Sequence, residues 1–312
     1  MELYKIYAVY FIPILLICFF LCLKWNGFIT NPWMEIMIAI YIVLFYTYLN
    51  LPLGIFVLIL TFLWFLYRIY YSKIIYEINY LNKTSQKGKI PKRIIQTGPT
   101  NNLSKYSSYI SLVKSMNPEY EYLFFNDQDI NLFFKEYYPN YFETYEKLPL
   151  LIQRIDFFRY VAVYHYGGIY LDLDMRILKP FDEEFLCHKC VLPIDEYLKD
   201  YMIKWKRYQP FLQQNCHFLL GQYAFAAESK SPFVLNLVEN IHQNIDWIVS
   251  SFQNQKRNKR EREWFVYQTT GPDYVTQQFI NYHNKSEIFI LDCGQRQHLG
   301  RYAKHDYLGS WK

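Results

Sequence analysis

Asp172 and Asp174 close the run Gly167-Gly168-Ile169-Tyr170-Leu171-Asp172-Leu173-Asp174. The apolar residues of that run predict a buried strand over Ile169–Met175. Side chains at i and i+2 point to the same side of a strand, so the two carboxylates project together. At the carboxyl end of a strand in an open α/β sheet they would face the crevice where ligands bind. Two such groups repel unless a cation neutralises them or one keeps its proton. Hard oxygen ligands select Mg²⁺ or Mn²⁺, whose remaining positions are typically taken by phosphate oxygens. The pair therefore predicts a divalent ion joining the protein to a diphosphate. Asp-x-Asp alone equally fits a solvated strand end or a helix cap; the Gly-Gly turn and the apolar flanks set this instance apart.

Upstream, Arg154, Asp156 and Arg159 fall within a helix predicted over Pro149–Tyr166. Asp156 and Arg159 are spaced i, i+3 and can pair. An ordinary helix ion pair is the plain alternative. The surroundings are apolar, however, and a charge pair near a core carries a cost that asks for a use. Asp156 would accept hydrogen bonds from sugar hydroxyls, and Arg159 would hold a hydroxyl or a phosphate oxygen.

The elements that must position these groups are readable in outline. Pro149 suits the first turn of the helix. Leu151, Ile155, Phe158 and Ala162 share one face, and Gly167-Gly168 ends it. Strands are predicted over Lys92–Gln96, Tyr120–Phe125, Phe218–Ala226 and Glu287–Leu291. Helices are predicted over Ser107–Met116, Asp129–Tyr137 (Asp127 as N-cap) and Pro232–Ser250. The alternation argues for a mostly parallel sheet with helices on both faces.

Of the 312 residues, 52% are hydrophobic and 64 are aromatic (7 Trp, 32 Tyr, 25 Phe). Much of this sits at the N-terminus. Ile6–Leu23 carries no charge over 18 residues, and Ile36–Tyr67 none over 32. As one helix the second run would be about 48 Å long, against a hydrocarbon core of about 30 Å. Pro52 would bend it, or a spanning segment would join an interfacial one. Residues 1–70 thus read as a membrane anchor of two or three apolar helices, 71–89 as a polar juxtamembrane linker, and 90–312 as an α/β domain. The basic residues after the anchor (Arg68, Lys73, Lys83, Lys87, Lys89, Lys92, Arg93) favour a cytosolic domain by the positive-inside rule. The sequons at Asn82, Asn102 and Asn284 favour a lumen.

A net charge of +5 does not call for a nucleic-acid partner. Six cysteines in a chain this long are no disulfide framework. Cys187-His188-Lys189-Cys190 has no second half at zinc spacing, so a structural zinc is not expected. Lys256–Arg262 reads as a solvated loop, and His283 and His298 as surface residues. Dinucleotide, P-loop and Gly-x-Ser-x-Gly patterns do not occur.

Several blocks in fixed order carry a resemblance over residues 90–312. They are Ile90–Thr97, Asn117–Tyr122, Arg154–Tyr160, Tyr164–Asp174, Ala224–Ala227 with Ser231-Pro232-Phe233, Thr269–Pro272, and His305 followed by Gly309-Ser310-Trp311. Together they resemble the DXD-containing sugar transferases of glycosyltransferase family 32. That family includes Och1-type mannosyltransferases and the catalytic subunits of mannosyl-inositol-phosphorylceramide synthase. The resemblance implies a GT-A-type, Rossmann-like nucleotide-sugar-binding domain behind N-terminal transmembrane helices. It implies Mn²⁺ or Mg²⁺, a GDP- or UDP-hexose donor, and retention of anomeric configuration. Asp156 and Arg159 would hold the donor sugar, Asp172 would contact ribose or metal, and Asp174 would ligate the metal. His305 or Ser310 would complete the metal–diphosphate site, and Trp311 would close over it. Gln96, Thr97 and Tyr170 would join the nucleotide-sugar site, although the family's usual His-Gln-Thr is Ile95-Gln96-Thr97 here.

The resulting expectation is a membrane-anchored glycosyltransferase moving mannose, galactose or glucose to a lipid of the inositol-phosphoceramide kind or to a glycan. The family's habit would place the domain in a Golgi or endoplasmic-reticulum lumen. The alternatives are a membrane-bound phospho- or nucleotidyltransferase using the same acids, and a silent scaffold of the same fold.

Overall fold

The computed structural model describes residues 74–99, 101, 103–254, 257–292 and 298–308. The anchor expected over residues 1–70 lies outside them, as do Ser310 and Trp311. Among the described residues no helix is long and apolar enough to cross a membrane. The compact unit described here begins at Glu77.

Its main sheet has seven strands. β1 (Arg93–Thr97) pairs in parallel with β2 (Glu121–Phe125) and with β3 (Gly168–Leu171). After β3 the chain leaves this sheet and forms β4 (Met175–Ile177) in a second, three-stranded sheet. The main sheet continues through β5 (Cys190–Tyr197), β6 (Phe218–Leu220), β7 (Ala224–Ala227) and β8 (Ile288–Leu291), in the order β2-β1-β3-β7-β5-β6 with β8 paired to β5. β7 is antiparallel to both β3 and β5, β6 is antiparallel to β5, and β8 is parallel to it. The sheet is therefore mixed, not mostly parallel. The cause is topological: after β5 the chain loops out through residues 198–217 and doubles back, so that β6 and β7 run against β5. β9 (His298–Arg301) and β10 (Ala303–His305) form a hairpin on β4, with His305 opposite Met175.

The helices are α1 (Ser107–Met116), α2 (Asp127–Tyr137), α3 (Pro139–Lys147), α4 (Leu151–Tyr166), α5 (Glu183–Leu186), α6 (Gln209–Gln213), α7 (Pro232–Gln243), α8 (Ile245–Gln253), α9 (Lys259–Thr269) and α10 (Pro272–Asn281). α1 has the predicted bounds. The cap of α2 is Asn126, one residue before the predicted Asp127, because its side chain accepts from both Gln128 N and Asp129 N. The helix expected over Pro232–Ser250 is two, parted at Asn244. Lys256–Arg262 was expected as a loop, but Lys259 already starts α9, capped by Asn258.

α4 is the axis of the fold. Phe157 through Val163 are buried without a break, so the helix is covered all round. Gly167 and Gly168 then turn the chain at φ +65° and +110°. A Cβ on Gly167 would come within 2.6 Å of Ser229 N, and one on Gly168 within 2.6 Å of Arg93 O. Only glycine permits both the backbone angles and the approach, and this turn delivers β3 against β1.

Residues 74–83 are helical, so the segment read as a polar linker is in part a helix. Its end is fastened to the domain. Asn82 Nδ2 donates to Ile290 O at 2.7 Å and Ile290 N donates to Asn82 Oδ1 at 2.8 Å. Lys87 then bridges to His188.

Candidate active site

β3 ends at Leu171, so Asp172 and Asp174 are not strand residues as the run suggested; they occupy the turn between β3 and β4. Asp172 N donates to Tyr223 O at 2.8 Å and Met175 N to Asp172 O at 3.1 Å, which holds the turn closed. The carboxylates converge all the same, and β10 brings His305 to them. One ligand atom from each of Asp172, Asp174 and His305 lies within 4.8 Å of the others, the one such group among the described residues.

Asp174 is gripped from the C-terminal hairpin. His305 Nε2 is 2.9 Å from its Oδ1, and Leu308 N donates to its Oδ2 at 2.8 Å. Burial would raise the Asp174 carboxyl, but the His305 contact and the Leu308 N–H outweigh it and hold it below the usual carboxylate range. Burial would lower the His305 imidazole; its bond to Asp174 and the charge of Asp172 raise it instead. The His305 ring lies on Tyr223, centroids 4.9 Å apart at 22°. His298 is no mere surface residue: its Nδ1 accepts from His305 N at 3.0 Å. Asp306 secures the turn beyond, accepting from Tyr109 Oη at 2.8 Å and Arg176 Nε at 2.9 Å.

The second half of the site is the pair on α4. Asp156 Oδ1 is 3.0 Å from Arg159 Nη2, with side chains 1% and 2% exposed. Arg159 Nη1 lies 3.2 Å from Asp172 Oδ1 and donates to Gln222 O at 3.0 Å. The guanidinium sits over the Tyr170 ring at 4.6 Å, while Tyr170 Oη donates to Asp172 Oδ1 at 2.9 Å. Thr270 Oγ1 donates to Asp156 Oδ2 at 2.8 Å, and Gln222 Nε2 approaches Asp156 Oδ1 at 3.5 Å. Burial lifts Asp156 to about 6 against the pull of Arg159 and the Thr270 hydroxyl. Burial would lower Arg159, but Asp172, Tyr170 and Asp156 together raise it, and it stays a cation. Asp156, Arg159 and Asp172 thus form one chain of charge leading to the three-residue cluster.

Gln96, Thr97 and Tyr170 lie beneath this surface. Gln96 is fully buried and spends its amide on Tyr122 Oη (2.8 Å) and on the carbonyls of Leu171 and Asp172 (3.4 and 3.3 Å). Thr97 Oγ1 meets Tyr170 Oη at 3.1 Å. The structure places these three as supports of Asp172. Two site residues had no role in the sequence reading. Thr270 stood only inside a matched block, and Gln222 gave no signal, since its place depends on the bend at Gly221. Arg154 turns away, donating to the carbonyls of Leu148 and Glu146. Cys187, Cys190 and Cys216 are free thiols, and the Cys-x-x-Cys joins no group of ligands among the described residues.

Two carboxylates and an imidazole are a fitting donor set for a divalent ion. A further sign of fit is His305 Nδ1, which is buried and has no hydrogen-bond partner among the described residues. A candidate cation site at a strand end is thus joined through the buried Arg159 to the Asp156 carboxylate.

Residues 104–192 match the family model described as "Glycosyltransferase sugar-binding region containing DXD motif". The chain is 26% identical over 198 residues to inositol phosphoceramide mannosyltransferase 1 of Schizosaccharomyces pombe, covering 62% of this chain and 52% of that one. It is 36% identical over 102 residues to inositol phosphoceramide mannosyltransferase 3 of the same yeast, covering 32% and 28%. The match therefore spans about half the length of these relatives or less. Among solved structures, the PaToxG glycosyltransferase aligns with a TM-score of 0.42 at 18% identity, covering 69% of this chain and 77% of that one.

Proposed function

We propose that this protein is a membrane-anchored, divalent-cation-dependent, retaining hexosyltransferase of GT-A type. It would move mannose from a nucleotide diphosphate sugar to an inositol-phosphoceramide-like lipid. The carrying observation is the junction of the Asp172–Asp174–His305 cluster with the Asp156–Arg159 pair, bridged at 3.2 Å by Arg159 and Asp172. The names of the yeast relatives support mannose and the lipid acceptor. The long uncharged runs before residue 70 support the anchor.

Asp172, Asp174 and His305 would hold Mn²⁺ or Mg²⁺, which neutralises charge on the departing diphosphate. Asp156 and Arg159, fixed by Thr270, Gln222 and Tyr170, bind and orient the donor sugar. Their geometry is set before substrate arrives, so no reorganisation is needed as charge develops. Ser310 and Trp311 would cover the nucleotide. Among the described residues no side chain is assigned as a nucleophile; for retention the acceptor hydroxyl would attack on the face the diphosphate leaves, its proton passing to the leaving phosphate oxygen. Trapping a covalent sugar–enzyme adduct would overturn that step.

The direct test incubates the full chain in detergent with Mn²⁺ and a panel of GDP- and UDP-sugars, with inositol phosphoceramide in the micelles. Release of nucleoside diphosphate with a hexosylated lipid is the expected result. Release of nucleoside monophosphate would instead make the protein a phosphotransferase.

A further inference from the structure

Asp195 belongs to neither half of the site described above. It stands near the end of β5, where pairing with β6 slips between Ile194 and Glu196. A bulge re-aims a side chain, and bulges are frequent beside active sites. The neighbouring strand fixes the location. Gly221 N donates to Pro193 O at 2.9 Å, so Gln222, which receives Arg159 on its carbonyl, follows directly beside the bulge. Asp195 also lies within charge reach of His305 and of Arg207. It thus lies near His305 of the cation cluster and near the Arg207–Asp273 ion pair.

Its neighbours are satisfied and it is not. Glu196 takes the Tyr208 hydroxyl at 3.1 Å on both oxygens, and Asp273 binds Arg207 through Nη2 at 2.7 Å and Nε at 3.0 Å. Asp195 accepts no hydrogen bond from any described residue. Burial, then the charge of Glu196, pushes its carboxyl up to about 6. A half-buried carboxylate with no described partner, at a bulge beside a candidate site, is a candidate functional position.

The remaining question is what it would bind. The cation cluster is complete without Asp195, and Asp156 with Arg159 serves the donor sugar. In same-face transfer the incoming oxygen must lie beside the leaving phosphate oxygen, hence near the cation cluster. We propose that Asp195 accepts a hydrogen bond from the attacking hydroxyl of the acceptor alcohol and so orients it for transfer. The proposal rests on the retaining-transfer reading above. The acceptor oxygen bonds the anomeric carbon, the carbon–diphosphate bond breaks, and the hydroxyl proton ends on the departing phosphate; Asp195 directs the hydroxyl and keeps no proton.

The test uses the full chain in detergent with Mn²⁺, GDP-mannose and inositol phosphoceramide. Two rates are measured: GDP released without lipid, and mannosyl lipid formed with it. Asp195→Asn is expected to lower the ratio of transfer to hydrolysis about 10- to 100-fold, at the wild-type Mn²⁺ half-saturation. Should that variant not fold, Asp195→Glu, which moves the carboxylate by one methylene, is expected to lower the same ratio. A fall of both rates in step would assign Asp195 to the donor and overturn the proposal. So would a raised Mn²⁺ requirement, which would make it a support of His305, and so would an unchanged ratio. Wild-type protein that turns over GDP-mannose but forms no mannosyl lipid would overturn the proposal through its acceptor. Wild-type protein that turns over no nucleotide sugar would sink the transferase reading itself, visible before any variant is made.

Discussion

Arg159 and Arg301 are built into the same company and do different things. Each sits between two carboxylates and over a tyrosine ring: Arg159 with Asp156, Asp172 and Tyr170, Arg301 with Asp182, Glu184 and Tyr302. The Arg159 side chain is 2% exposed and that of Arg301 is 47% exposed. The acids respond in opposite directions. Burial lifts Asp156 to about 6. Asp182 falls to about 2, because hydrogen bonds from Lys179, Tyr302 and the Phe185 N–H outweigh its slight burial. The contrast teaches where the fold accepts a charge that opposes folding. The exposed group helps secure the β9–β10 hairpin and caps α5. The buried group is retained for what it holds.

The comparison is best broken at its strongest point. Asp174→Ala removes a cation ligand, and transfer is expected to fall by about a thousand-fold while circular dichroism stays that of a folded domain; persistent turnover would show the ligand assignment to be wrong. Next comes stability. Asp156→Ala leaves the buried Arg159 cation with Asp172 as its one remaining carboxylate partner and is expected to cost about 3 kcal/mol, read as a large drop in the melting temperature. Arg301→Ala should shift melting only slightly, and high salt should erase even that shift, because exposed pairs are screened. A large, salt-insensitive loss would remove the distinction between the two arginines.

The smallest effect is the dependence on acid. The folded-state value for Asp182 lies below its ordinary 3.8, so its contribution is complete above about pH 4 and is lost as the pH falls through about 2. Melting curves for wild type and Asp182→Asn should therefore converge across that interval. Parallel curves would show that its partners do not prefer the ionised form.

What the sequence disclosed followed how local each feature is. The Asp172–Asp174 turn, α1, α4 and the Gly167-Gly168 exit all lie within short windows where periodicity and glycine carry the information. Even there, the strand ends three residues before Asp174, because apolar Leu173 mimics a strand position while the backbone already turns. His305 joins Asp174 across 131 residues, and only the family resemblance suggested it. β5 went unread because Pro193 interrupts it and Asp195 and Glu196 end it, the composition that argues against a central strand. The Phe218–Ala226 strand breaks at Gly221, where a Cβ would meet the Tyr223 ring at 2.6 Å. Tyr223 is only two residues away, but the fold-back of its ring over Gly221 leaves no trace in the hydrophobic pattern.

The fastening of Asn82 to Ile290 reaches beyond stability. Asn82 opens an Asn-Lys-Thr acceptor triplet, yet in the folded domain both ends of its amide are engaged by one backbone residue 208 positions away. An oligosaccharide would have to use the Nδ2 hydrogen that Ile290 leaves free, within an amide already pinned to the sheet. Occupancy at this triplet would therefore report how open the clasp is as well as which compartment the domain meets.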